Sequence, residues 1–168
     1  PEREQQFQWV GPVGPRTIRV WRLSSRTDIQ PRSLQEASHY RIAVVRNSAS
    51  AQQLIRQGLA PVSVNSEEDK FRMLLRGRVE LVTALDLGAA FHMHQLGHGL
   101  EALTPLFVYD DGEQYYFALN LATEPAKVQA LQRALDQMRQ DGSLEALRRR
   151  WLNLHAVPPA PASGATPS

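Results

Sequence analysis

The sequence predicts an α/β protein whose mainly parallel sheet is flanked by helices, and three observations carry that expectation. Between positions 40 and 97, apolar runs of strand length alternate with amphipathic stretches of helix length. Each helical stretch stops at a glycine, at Gly58, Gly77 and Gly97, as a chain leaving a helix in the left-handed region favours. The connections between these elements are short, as strand–helix–strand units require.

Taken in order, Phe7 to Val10 and Thr17 to Leu23 read as short strands separated by the turn Gly11-Pro12-Val13-Gly14-Pro15. A polar loop follows from Ser24 to Pro31, then one helical turn over Ser33 to Ala37. The spacing next predicts a strand over 41–46, a helix over 48–57 and a short strand from Pro61 to Val64. Ser66, followed by Glu67, Glu68 and Asp69, has the form of a capped helix start. Strand Val79 to Ala84 feeds a helix over 86–96. Leu106 to Tyr109 and Tyr115 to Leu121 read as two strands joined by an Asp110-Asp111-Gly112 turn. Two helices close the sequence. The first enters at Thr123-Glu124-Pro125 with the stripe Val128, Leu131, Leu135, Met138; the second is capped by Ser143. From 156 to 168 Pro, Ala, Ser and Gly dominate, which predicts a disordered tail.

The 168 residues suffice for one full core or two small lobes. A formal charge of +2 with scattered basic residues gives no footprint for nucleic acid. There is no cysteine, which excludes disulfides, thiolate catalysis and cysteine-ligated metals. No apolar run approaches the ~18 residues of a membrane span.

The chemistry-bearing residues point to binding more than to reaction. His94 and His98 have the i,i+4 spacing of helical metal pairs, with His92 nearby. Gly97 interrupts that helix and no acidic ligand adjoins, so an exposed histidine-rich helix end is expected, with no metal site. No serine sits in a Gly-x-Ser-x-Gly elbow, and no phosphate-binding or dinucleotide glycine pattern appears; no catalytic residue and no cofactor is expected. What remains is the small-polar turn Asn47-Ser48-Ala49-Ser50, where an apolar strand meets a helix start. The N–H groups there suit a carboxylate or other anion, and plain helix capping suits them equally. Arg3 could clamp a carboxylate or simply be solvated. Asp86, at a predicted strand end, could contact a ligand or act as a helix N-cap.

Four blocks of the sequence resemble the family-3 extracellular solute-binding proteins, which have the type II periplasmic binding fold and serve ABC importers of polar amino acids. Pro1-Glu2-Arg3-Glu4-Gln5-Gln6-Phe7 resembles the family's Thr-Pro-Glu-Arg stretch. Ser33-Leu34 through Tyr40 to Asn47-Ser48 resembles its strand leading into a Gly-Ser/Thr helix start. Leu74-Leu75-Arg76-Gly77-Arg78-Val79-Glu80-Leu81 resembles its helix-to-strand step, and Leu131 to Leu135 with Asp141-Gly142-Ser143 and Trp151-Leu152 resembles its closing helix pair. The resemblance implies a non-enzymatic, monomeric clamp of two lobes, periplasmic or else extracellular and membrane-associated, with a small-molecule solute and an ABC-transporter membrane permease as partners and no nucleic acid.

On that reading residues 1–23 hold a remnant of lobe one and the first hinge strand, and 24–112 a complete lobe two. Residues 113–155 hold the return strand and helices packing on lobe one. The family's opening residues have no counterpart, which implies a fragment or truncated homologue with an incomplete first lobe and an exposed sheet edge. The ligand-binding residues carried over are Arg3, Arg46, Asn47, Ser48, Ala49 and Asp86, with Ala49 offering only its backbone N–H. The aspartate that holds the amino group in amino-acid binders aligns at or beside Leu85, with Asp86 one residue later. The alternative is a ligand-sensing domain of the same fold from a signalling protein or a transcription regulator.

Overall fold

The computed structural model describes residues 4–154. Five strands form one mixed sheet, β1 (Phe7–Leu23), β2 (Ile42–Val45), β3 (Val62–Val64), β4 (Leu81–Leu85) and β5 (Leu103–Asn120), in the order β3-β2-β4-β1-β5. The short strands β2, β3 and β4 are parallel, while β1 runs antiparallel to both β4 and β5. Helices α1 (Leu34–Ala37), α2 (Ala49–Arg56), α3 (Glu67–Leu75) and α4 (Asp86–Gln95) connect this part, and α5 (Pro125–Gln140) and α6 (Ser143–Leu154) end the described chain.

Each helix of the parallel part follows from its local sequence. Ser33, Ser48 and Ser66 are N-caps whose hydroxyls accept from Glu36, Ala51 and Asp69 N–H respectively, each satisfying one of the donors a helix start leaves open. Gly58 and Gly77 sit at φ +82° and +65°, where the helix ends turn back. There Leu59 N–H reaches Leu54 O and Arg78 N–H reaches Met73 O. Glu80 binds the Arg41 guanidinium with both oxygens and also accepts from its backbone N–H, fixing the entry of β2 beside that of β4.

The two faces of the sheet bury separate clusters. Ile18, Val20, Ile42, Val44 and Leu81 pack under α1 and α2 through Ala37, Ala51 and Leu54. Trp21, Ala43 and Val82 pack under α3 and α4 through Phe71, Leu74, Ala89 and Met93. Period-two alternation along the strands sorts the side chains between the faces. Both clusters centre on the parallel strands and draw in the antiparallel ones through Ile18, Val20, Trp21, Leu103 and Tyr109. Lys70 enters the second one; it is 3% exposed, and its Nζ donates to Thr83 O at 2.5 Å and meets Glu67 Oε2 at 2.6 Å.

The structure corrects the sequence reading in four places. The Gly/Pro segment 11–15 does not turn: β1 is one strand of 17 residues, with a register shift between Val10 and Gly14. On its β4 side β1 is paired only at 18–21, so Pro12 and Pro15 interrupt no ladder there. The Asp110-Asp111-Gly112 segment is likewise a bulge inside the single strand β5. From Arg16 to Ile18 β1 advances two residues while its partners run from Glu113 to Asp110, and Asp110 pairs with Arg16 at 2.5 Å. Of the α5 stripe only Leu135 is buried, while Leu131 stays exposed; the helix packs on β1 and α6. Ser143 opens α6 as its first residue, and the side chain accepting its N–H is that of Asp141.

Candidate functional site

Strands β2 and β4 lie side by side, and their C-terminal ends form the most distinctive edge of the sheet. The register Ile42↔Leu81 and Ala43↔Val82, carried forward, sets Val45 beside Ala84 and Arg46 beside Leu85. The strands therefore end together. Their helices leave on opposite faces, α2 over one core cluster and α4 over the other. Adjacent parallel strands whose connections diverge open a crevice beyond their carboxyl ends, the usual place for a ligand in an open α/β sheet.

On the β2 side, Arg46 N–H is bonded to Val64 O, and Asn47 takes a left-handed conformation at φ +59°. Asparagine tolerates that region better than most residues. Ser48 then caps α2 with φ −70° and ψ 160°, its hydroxyl occupied by Ala51 N–H at 3.1 Å. Capping thus consumes the Ser48 side chain. The N–H groups of Ala49 and Ser50 remain as the unspent donors of the first turn, and they carry the positive end of the helix dipole. Tyr109 reaches the same turn, its hydroxyl donating to Ser50 O at 3.3 Å; burial, with the Asp110 charge adding to it, pushes that phenol up to about 12.

On the β4 side, Leu85 holds the N-cap position of α4 without a side-chain bond, and Asp86 is the first helical residue. Asp86 Oδ1 accepts from Arg19 Nε at 2.9 Å, both side chains being about two-thirds to three-quarters buried. Arg19 is carried by β1 opposite Ala84, and Trp21, two residues on, donates its indole N–H to Ala84 O at 3.0 Å. Asp86, though not Arg19, lines a cavity of about 570 Å³ between β1, the start of α4 and α6. Its walls include Pro12, Val13, Leu87, Tyr115, Leu144 and Trp151.

The sequence-derived residues therefore fall into two groups. Arg46, Asn47, Ser48 and Ala49 form one turn at the end of β2; Asp86 lies on the neighbouring strand end and lines the cavity, which the other four do not. Arg3 lies outside the described residues. Arg19 and Tyr115 were not singled out from sequence, and Arg148 only as part of the basic cluster Arg148-Arg149-Arg150, read as the exposed end of a helix. An arginine between Ile18 and Val20 was the one available signal for the first, since it interrupts an apolar strand. His92 stacks on Phe71 with centroids 5.8 Å apart, and its pKa is lowered chiefly by burial. Among the described residues no group of three His, Asp or Glu side chains could hold a metal ion, and no helix is long and apolar enough to cross a membrane.

No protein-family model matches the sequence, and no curated protein matches it significantly. Solved structures do. The chain is similar to an ancestral arginine-binding protein bound to arginine, with a TM-score of 0.66 and 19% identity over 89% of this chain and 66% of that one. It is similar to a histidine kinase sensor domain with similarity to periplasmic binding proteins, with a TM-score of 0.64 and 18% identity over 90% and 65%. It is also similar to AbpA, an amino acid ABC transporter substrate-binding protein from Streptococcus pneumoniae bound to L-arginine, with a TM-score of 0.73 and 15% identity over 94% and 65%. The chain spans just under two-thirds of the length of each. The mixed sheet with its flanking helices and these likenesses agree: the chain has the α/β fold of the type II periplasmic-binding-protein kind.

Proposed function

We propose that the chain is the solute-binding part of an ABC-type importer and holds a small carboxylate-bearing solute, amino acids among them, at the joint ends of β2 and β4. The observation that carries this reading is the diverging pair of helix starts at neighbouring strand ends, in a fold shared with amino-acid-binding proteins. The solute carboxylate accepts from Ala49 and Ser50 N–H beside Arg46, with Asn47 shaping the turn. Asp86 contributes through Arg19 more than through a free charge. In this reading residues 24–112 are the second lobe, 1–23 and 113–155 belong to the hinge and first lobe, and the protein works outside the cytoplasm with a membrane permease and no catalytic step.

A second reading is favoured by one observation, the likeness to a histidine kinase sensor domain. There the same crevice would report ligand occupancy to a signalling module.

Ala49→Pro tests the shared core of both readings. Proline suits the first helical position, and Ser48 already has the extended backbone a residue before proline needs. The substitution removes one donor and leaves the helix. Thermal-shift titration against the standard amino acids and simple carboxylates should find a solute that raises the melting temperature of the parent and binds several-fold more weakly to the variant. If no member of the panel shifts the parent, the proposal fails.

A further inference from the structure

The cavity beside α6 has a chemistry of its own, independent of the α2 turn. Its walls are mainly aliphatic and aromatic, with Leu87, Tyr115 and Trp151 all partly exposed toward it. Four charged side chains line it, Asp86, Arg139, Glu145 and Arg148. Three are already matched. Asp86 is held by Arg19 at 2.9 Å and Glu145 by Arg149 at 3.2 Å. Arg139 binds Asp136 at 2.7 Å and also donates to Pro12 O. Arg148 has no ion pair among the described residues, and it is half-buried on the cavity side of α6. The bed is therefore apolar and carries one unmatched positive charge.

We propose that this cavity binds a small aromatic or aliphatic carboxylate that lacks an ammonium group. Its apolar body rests against Leu87, Tyr115 and Trp151, and its carboxylate pairs with Arg148. The volume is within the usual range for a small organic ligand. An ammonium gains less than a carboxylate does, because the charges of Asp86 and Glu145 are already offset by Arg19 and Arg149, whereas that of Arg148 is not. Planar guanidinium–carboxylate pairing in an apolar surround supplies the selectivity for the anion.

The test is calorimetric titration of the full chain with 3-phenylpropionate, its amide 3-phenylpropanamide, and phenylalanine, which differ in charge over nearly the same body. We expect 3-phenylpropionate to bind about tenfold more tightly than either of the others, the effect of one charge-assisted pair. Arg148→Gln should bring it down to the level of the amide and leave the amide unchanged, while Arg148→Lys restores part of the preference; circular dichroism confirms that both variants fold. Ala49→Pro should leave all three titrations as they were. Equal or tighter binding of phenylalanine, absence of binding by 3-phenylpropionate, or loss of its binding in Ala49→Pro overturns the inference. Loss of binding in Ala49→Pro would move the carboxylate to the α2 turn; the other outcomes leave the solute reading there untouched, since the amino-acid and carboxylate panel decides it.

Discussion

The ion pair between Arg19 and Asp86 neutralises one of the two carboxylates that line the cavity, so breaking it from each side is the most informative perturbation. At a 2.9 Å contact the charge centres lie roughly 4 Å apart, worth about 4 kcal/mol of gross attraction at an effective dielectric constant near 20. Desolvation takes back most of that. Exposed pairs net ~0–1 kcal/mol, while removing one partner of a buried pair costs about 3–5 kcal/mol. With side chains 33% and 24% exposed, this pair falls between those limits, so Asp86→Asn should cost about 1–2 kcal/mol. Urea denaturation of the two single variants, Asp86→Asn and Arg19→Met, and of the double variant gives the coupling energy directly. About 1 kcal/mol is expected. Ligand preference should move in opposite directions. Arg19→Met leaves an unpaired carboxylate in the cavity, weakening 3-phenylpropionate and admitting phenylethylamine; Asp86→Asn removes a negative charge from the cavity wall and strengthens 3-phenylpropionate. A coupling energy indistinguishable from zero, or the same change of preference in both variants, would refute the charge argument.

Lys70→Met should leave the protein as stable or up to about 1 kcal/mol more stable in urea at neutral pH, whereas Lys70→Ala should cost about 2–3 kcal/mol through the cavity it leaves. Burial lowers the Lys70 pKa, so the folded state resists its charge at low and neutral pH. The advantage of Met should therefore shrink as pH rises through the lowered folded value toward the ordinary lysine value, because the unfolded chain holds the proton more strongly. Glu80 has the opposite sign: hydrogen bonding to Arg41 lowers its carboxyl pKa. Glu80→Gln should accordingly lower the melting temperature at pH 7, and the difference should vanish as acid takes the parent through the lowered value. At φ +59°, Asn47→Gly should be neutral or mildly stabilising and Asn47→Val should cost about 1–2 kcal/mol, read by chemical denaturation. The outer side of β5 is a sheet edge, and residues 114–121 carry no charge and no proline, with Tyr116 and Phe117 about half exposed. Unprotected edges pair with other chains. Light scattering should show concentration-dependent self-association that Phe117→Lys suppresses.

Local signals placed the parallel part of the fold well. Capping serines, glycine stops and apolar runs act within a few residues, and Ser48, Ser66, Gly58 and Gly77 each stand where the sequence puts a helix boundary. The long strands were harder. Gly/Pro and Asp-Asp-Gly are turn-forming by local chemistry, yet pairing between β1 and β5 along nearly their whole length absorbs both as irregularities. That information lies in residues about a hundred positions away. The α2 turn was legible because strand, small-polar turn and helix adjoin in sequence. Arg19 beside Asp86 was not, since only the antiparallel register of β1 on β4 brings them together. The walls contributed by Tyr115 and α6 depend likewise on tertiary packing, for which a half-apolar helix stripe gives no address.

That difference bears on how a ligand in the cavity would act. One wall, at Leu85 and Leu87, belongs to the end of β4 and to α4, whose Ala89, Ala90 and Met93 are fully buried. The facing wall is α6, whose Leu147 and Trp151 remain nearly half exposed. Besides the tilted contact of Trp151 with Phe91 at 6.5 Å, α6 adjoins α5, itself anchored on β1 by reciprocal bonds between Gln132 and Gly11. None of the side chains described in α6 is fully buried, and such an element opens at lower free energy than the core opposite it. A ligand that touches both walls binds only the docked state, and so stabilises docking by its own binding free energy. Occupancy of the cavity should thus be read first in the hydrogen exchange of α6, with little change in α4.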